Sequence, residues 1–210
     1  MSDVKTAIDS HRRDSISDVK TAIMDAAERR TQLGGFGGFS FREIAADVGI
    51  KSSSVHYHFP TKEDLAAAVI RRWAEYTSEL IDTELEKDAD PVRVWTKAFR
   101  GTAFSEAHMC PCTVLAAASQ DLPEQVAKEV KGFFKMCQDK LVAEGLSPSK
   151  AAEVLSTITG ALVLANALGD TAEYDRATRD LLRQRAAALA DRHGPRGPGT
   201  KRLAKAATGD

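Results

Sequence analysis

Apolar residues recur every three or four positions along most of the chain, and this spacing predicts amphipathic helices. Val19, Ile23 and Ala27 are the first clear example. Clusters of glycine and proline separate one helical segment from the next. No stretch of the sequence alternates apolar and polar residues as a half-buried strand would. The pattern therefore predicts an all-α protein with nine helices.

Capping residues, prolines at helix starts and glycines at helix ends set the predicted boundaries. Ser40 and Thr61 are predicted N-caps, and Cys110, followed by Pro111, is predicted to precede a short sixth helix. Eight of the predicted helices run over about 15–34, 41–48, 51–58, 62–87, 91–106, 123–145, 148–169 and 171–192, and the short sixth helix begins at about 111.

Both ends of the sequence are unusual. The heptapeptide SDVKTAI occurs at 2–8 and again at 17–23. We interpret 1–14 as a duplicated, flexible N-terminal extension; the alternative is an arm that carries Arg12 and Arg13 into a DNA minor groove. The segment 193–210 is basic and has no core-forming run, so it is predicted to be a disordered tail.

Composition and charge narrow the class of protein. The chain has 43% hydrophobic and 28% charged residues, which is typical of a globular protein with a real core. No apolar run is expected to reach the roughly 18 residues that span a bilayer, and no secretory signal is recognisable, so a cytoplasmic protein is expected. The net charge of −1 excludes a generally basic coat but allows a local basic patch.

The segment 40–65 predicts two short helices joined by a tight turn at Gly49. A preceding helix would support them, as in a helix-turn-helix, whose second helix enters a DNA major groove. The exposed face of that second helix would carry Ser52, Ser53, Ser54 and Tyr57, whose hydroxyls can reach base edges.

These residues resemble the TetR family of one-component transcriptional regulators. The matching motifs are Ile23–Arg29, Arg42–Ala45, Gly49-Ile50, His56–Phe59 and Pro60–Leu65. The resemblance implies an N-terminal three-helix helix-turn-helix DNA-binding domain over 15–60. It also implies a C-terminal helical ligand-binding and dimerisation domain over 61–192. The positions that match DNA-contacting positions of the family are Ser40, Lys51, Ser52, Ser53, Ser54, His56, Tyr57 and Lys62.

The resemblance also implies a small-molecule pocket and a homodimer. The candidate pocket residues on the fourth to seventh helices are Trp73, Tyr76, Trp95, Phe99, His108, Cys110, Phe133, Phe134 and Cys137. Two apolar stripes on the eighth helix predict burial on two sides, one of them against a second subunit. The candidate interface residues on the eighth and ninth helices are Leu155, Ile158, Leu162, Ala165, Tyr174 and Leu181.

Cys110 and Cys112 flank Pro111 at a predicted helix start, where the helix dipole would stabilise a thiolate. They are either a redox or electrophile sensor or small buried apolar residues. His56 and His58 lie on different faces of their helix, which argues against a metal site.

The leading hypothesis is a homodimeric repressor that binds a palindromic double-stranded DNA operator and is released by an unidentified small-molecule effector. The alternatives are a cysteine-based sensor and a constitutive DNA-binding protein that has no ligand. The sequence contains no recognisable nucleophile–base set, phosphate loop or cofactor motif, so neither an enzyme nor a cofactor is predicted.

Overall fold

The computed structural model describes residues 2–104 and 109–192, and within these ranges it contains helices and turns but no strand. The all-α prediction is therefore confirmed. Two short 3₁₀ turns occur, at Gly35–Gly38, which we call the glycine turn, and at Ser119–Asp121. The helices are α1 Ser2–Gly34, α2 Phe41–Val48, α3 Ser52–His58, α4 Lys62–Lys87, α5 Pro91–Phe104, α6 Pro111–Ala116, α7 Glu124–Ala143, α8 Pro148–Leu168 and α9 Thr171–Arg192.

The helix starts follow the capping residues. The Ser40 hydroxyl accepts a hydrogen bond from the Glu43 N–H at 3.3 Å. Thr61 and Asp64 form a reciprocal capping box at the start of α4. Asp170 accepts from the Ala172 N–H at 2.9 Å. These bonds satisfy N–H groups that have no partner inside their own helix, so the predicted starts of α2, α4 and α9 are confirmed.

The first helix differs from its prediction. It begins at Ser2 rather than near residue 15, and it continues through the 1–14 segment that was expected to be a flexible extension. The physical reason is that no glycine or proline interrupts the chain before Gly34. The predicted basic tail, 193–210, lies outside the described residues, as do residues 105–108.

Helix α4 connects the two halves of the fold, because it packs on α1, α5 and α7. Arg72 of α4 forms salt bridges of 2.7 Å with both Asp25 and Glu28 of α1. One connected cluster of buried apolar side chains extends from Ile23 in α1 to Leu181 in α9. A displacement of α4 would therefore act on α1 and its neighbours.

Helix α8 is more apolar than expected, because no segment of the chain was expected to be long and apolar enough to span a bilayer. Among the described helices, α8 alone is long and apolar enough to cross a membrane when judged by length and composition. Val154, Ile158 and Leu162 on one side of α8 are buried inside the helical core. Burial in the core accounts for the apolar residues of that side, so length and composition are weak evidence for a membrane span.

Candidate functional site

The turn between α2 and α3 depends on a glycine. Gly49 adopts φ +74°, a left-handed conformation that residues with a Cβ rarely adopt. The Ile50 N–H donates to the Ala45 carbonyl at 2.9 Å, and the Gly49 N–H donates to the Ala46 carbonyl at 3.3 Å. This pair of bonds is a Schellman motif. It stops α2 and sets the direction in which α3 leaves it.

Helix α3 presents a polar face to solvent. Ser53 and His56 are exposed, and Tyr57 retains 77% of its accessible surface. Ser52 and Ser54 are partly exposed. On the opposite side Val55 is fully buried, which anchors the helix in the core of the helix-turn-helix. Short hydroxyl side chains on an anchored, exposed helix suit close approach to base edges in a major groove.

An arginine supports this unit from α1. The Arg30 guanidinium donates from Nη2 to Asp47 Oδ1 at 2.9 Å and lies 3.3 Å from Glu43 Oε1. This hydrogen bond to Arg30 lowers the pKa of Asp47. This network could not be predicted from the sequence, because only the tertiary fold brings α1 beside α2. Arg30 therefore fixes the position of α2.

The structure modifies the expected roles of Lys62 and His56. The Lys62 ammonium lies 4.5 Å from the centre of the Phe36 ring and 4.8 Å from that of Phe39. Burial lowers the pKa of Lys62. The His56 ring packs edge-on against Phe41 with centroids 4.6 Å apart. Lys62 and His56 therefore have structural contacts in addition to any with DNA, whereas the side chain of Lys51 is exposed.

The structure places the expected pocket residues at different depths. Trp95, Phe99, Cys110, Phe133 and Cys137 are buried in the core. Trp73 and Phe134 are partly buried. His108 lies outside the described residues. A cleft of about 280 Å³ lies between α4 and α5. Of the expected pocket residues, Tyr76 lines this cleft. The other lining residues are Leu80, Glu84, Asp88, Val94, Lys97, Ala98 and Gly101.

The three cysteines are free thiols and are buried. Cys110 is the N-cap of α6, as the sequence predicts. Burial raises the pKa of the Cys110 thiol, but hydrogen bonds from the Cys112 thiol and from Thr113 outweigh this effect and lower it. Burial raises the pKa of Cys112 and of Cys137. Cys110 is therefore the thiol of the three that ionises most readily.

The candidate interface residues lie inside the single chain. Leu155, Ile158, Leu162, Ala165, Tyr174 and Leu181 are all buried against their own chain. The Tyr174 hydroxyl donates to the Thr96 carbonyl at 2.9 Å. These side chains are therefore not available to a second subunit. The exposed large apolar residues of α8 are Val163 and Leu164, on its outer side, and Leu168, at its C-terminal end.

An exposed α3 on an anchored helix-turn-helix, joined by α4 to an all-helical second half, defines the class of helix-turn-helix transcriptional regulators. Comparison with known proteins agrees. Residues 23–69 match the model of the tetR family of bacterial regulatory proteins. The chain is 29% identical over 159 residues to the HTH-type transcriptional regulator LmrA of Bacillus subtilis, covering 71% of this chain and 84% of that protein.

Solved structures also resemble this chain. A TetR-family transcriptional regulator from Agrobacterium tumefaciens superimposes with a TM-score of 0.75 at 28% identity, covering 80% of this chain and 98% of that one. A TetR transcriptional regulator from Legionella pneumophila superimposes with a TM-score of 0.69 at 28% identity, covering 78% of this chain and 95% of that one. Residues 23–69 therefore form a DNA-binding domain of the TetR family, and the chain as a whole is similar to TetR-family transcriptional regulators.

Proposed function

We propose that this protein is a cytoplasmic homodimeric repressor, which binds a palindromic operator and is released by a small-molecule effector. The observation that supports this proposal most strongly is the polar, exposed face of α3 on an anchored helix-turn-helix. A dimer would place two such helices on half-sites about one DNA turn apart.

The effector site that we propose lies beside α5, at the cleft between α4 and α5. The cleft is lined by an exposed aromatic residue, Tyr76, by apolar residues and by charged groups. Clefts that combine apolar walls with a few polar groups are typical of small-molecule sites.

The cleft and the DNA-binding unit share α4. Tyr76 lies one turn after Arg72, which forms salt bridges with Asp25 and Glu28 of α1. An effector that separates α4 from α5 would therefore move α1 and the helix-turn-helix together. The effector acts only if its affinity differs between the DNA-competent and DNA-incompetent states.

The proposed dimer would use the outer face of α8. Val163, Leu164 and Leu168 place large apolar side chains on the surface of the single chain, although the inner face of α8 is already buried. Exposed apolar patches of this kind mark protein–protein interfaces. The same face of the second subunit would cover them in an isologous contact.

DNA binding by α3 is tested by substitution of a base-facing and a backbone-facing residue. Lys51→Ala should weaken binding to all duplexes by about tenfold, because a phosphate contact is lost. Ser54→Ala should alter the preferred sequence more than the overall affinity. The measurement is selection from random duplexes followed by fluorescence anisotropy at several salt concentrations.

Lys131→Ala is the matched control for Lys51→Ala, because Lys131 is an exposed lysine on α7. The affinity of this variant for DNA should equal that of the wild type. Failure of the wild-type protein to enrich any palindrome would refute the repressor proposal.

Cys110 supports a second candidate, a repressor that senses electrophiles. Cys110 caps α6, and its lowered pKa makes it the best nucleophile of the three thiols. Alkylation there would add bulk beneath α6. Helix α6 contacts both α1 and the glycine turn. The modification would therefore disturb the support of the DNA-binding unit.

We expect iodoacetamide to label Cys110 in the folded protein at least tenfold faster than Cys137 at neutral pH. Both thiols are buried, so labelling requires a local opening, and the six-residue helix α6 should open more readily than the 20-residue helix α7 that holds Cys137. Mass spectrometry of each site against pH measures the rates, and urea-unfolded protein is the control for intrinsic reactivity. Equal rates in the folded protein, or an unchanged operator affinity after alkylation, would rule out this candidate.

A further inference from the structure

A second groove lies between α5 and α9, and it shares Lys97 with the cleft between α4 and α5. Its volume is about 390 Å³, which is within the range of small-molecule sites. We call it the α5–α9 groove. It is lined by Thr96, Lys97, Arg100, Asp175, Thr178, Arg179, Leu182 and Arg183.

The floor of the α5–α9 groove is mainly apolar, because its threonine hydroxyls are used inside the fold. The Thr96 hydroxyl donates to the Val92 carbonyl at 2.7 Å. The Thr178 hydroxyl donates to the Tyr174 carbonyl at 2.8 Å. Leu182 is a partly buried part of the same floor. The floor therefore offers an apolar surface, with neither hydroxyl free to donate to a ligand.

The rim of the α5–α9 groove is cationic. Arg100 holds Asp175, the one carboxylate of the lining, with two hydrogen bonds of 2.6 and 2.9 Å. Arg179 and Arg183 lie one helical turn apart on α9, so both project on the same side. Among the described residues neither of these two arginines has an ion pair within 4.0 Å. The groove therefore carries positive charge that its own carboxylate does not neutralise.

We propose that the α5–α9 groove binds an anionic amphiphile, namely a medium-chain carboxylate. Its hydrocarbon chain would lie on Thr96, Thr178 and Leu182. Its head group would lie between Arg179 and Arg183, whose planar guanidinium groups match the geometry of a carboxylate. The basic segment 193–210 of the chain has the same sign of charge as the rim and is therefore not a suitable occupant. This proposal does not depend on the proposed operator and effector sites, although Lys97 lines both this groove and the cleft between α4 and α5.

The test uses the full chain and a fluorescent fatty acid, 11-(dansylamino)undecanoic acid, below its micelle concentration. The wild type should bind the acid with saturable fluorescence enhancement, and its methyl ester at least tenfold more weakly. The double variant Arg179→Gln, Arg183→Gln should also bind the acid at least tenfold more weakly. Circular dichroism checks that the variant is folded. Retained operator affinity shows that the variant loses binding of the acid without losing DNA binding.

The matched control is Lys128→Gln, Lys131→Gln, which removes two charges from exposed positions of α7. It should bind the acid as the wild type does. An equal loss of affinity in both double variants would mean general electrostatic attraction and would overturn the proposal. Wild-type binding that does not distinguish the acid from the ester would also overturn it. Phosphatidylglycerol and phosphatidylcholine vesicles form a second arm, and binding to anionic vesicles without binding of the free acid would overturn the small-molecule site.

Discussion

Gly38→Ala is expected to destabilise the protein by about 1–3 kcal/mol and to abolish tight operator binding. A Cβ on Gly38 would lie 2.5 Å from the Arg30 carbonyl oxygen, which belongs to the backbone of α1. Neither backbone can rotate out of the way as a side chain could, so the glycine turn and α1 must separate. Arg30 also holds Asp47 of α2, and the separation would therefore displace the helix-turn-helix.

Gly37→Ala is the matched control, because a Cβ there meets no heavy atom within 4 Å. Its stability should stay within about 0.5 kcal/mol of the wild type, as for most surface substitutions. Thermal unfolding measures the difference, which should correspond to about 2–4 °C for each kcal/mol in a chain of this size. Equal melting temperatures for the two variants would contradict the close approach at Gly38.

Leu164→Arg is expected to convert a dimer into folded monomers that no longer bind a palindromic operator tightly. Leu164 is 45% exposed in the single chain, so an arginine there should leave the fold of the monomer intact. In the proposed α8 interface the same arginine would be an unpaired buried cation, which is destabilising by several kcal/mol. Light scattering at micromolar concentration and anisotropy with operator DNA are the two measurements.

Two further arginine variants distinguish loss of the dimer from a general effect of the added charge and from unfolding of the chain. Val142→Arg replaces an apolar residue of α7 that is 40% exposed, and it should leave the dimer unchanged. Leu162→Arg introduces the same charge on the inner face of α8, where Leu162 is 1% exposed, and it should unfold the chain instead. A wild-type protein that is monomeric at micromolar concentration would contradict the proposed dimer.

Most of the fold could be predicted from the sequence, because local chemistry determines where helices start and stop. Ser40 and Thr61 accept the hydrogen bonds expected of N-caps, and Gly49 adopts the left-handed conformation that ends α2. The motif from Arg42 to Leu65 predicted the helix-turn-helix and its exposed face. These features depend on residues within a few positions of one another, so their spacing in the sequence is sufficient.

Tertiary packing decided the contacts between distant residues. Spacing alone cannot tell which side of an apolar helix faces its own chain, and for this reason the inner residues of α8, such as Leu162, were expected at a subunit interface. The pairing of Arg30 with Asp47 and the position of Lys62 over two phenylalanine rings also depend on how α1, α2, α4 and the glycine turn meet.

The residues that line the two grooves could not be identified from the sequence. The cleft at Tyr76 and the α5–α9 groove each combine residues of two helices, and Thr96 and Arg183 are 87 positions apart in the chain. A periodic pattern shows which residues share a face of one helix. It does not show which faces of different helices meet, because that depends on the packing of the whole core. The sequence by itself therefore determined the class of protein and the recognition helix, whereas only the tertiary structure decided which helix faces meet to form the two grooves and which apolar residues of α8 remain exposed.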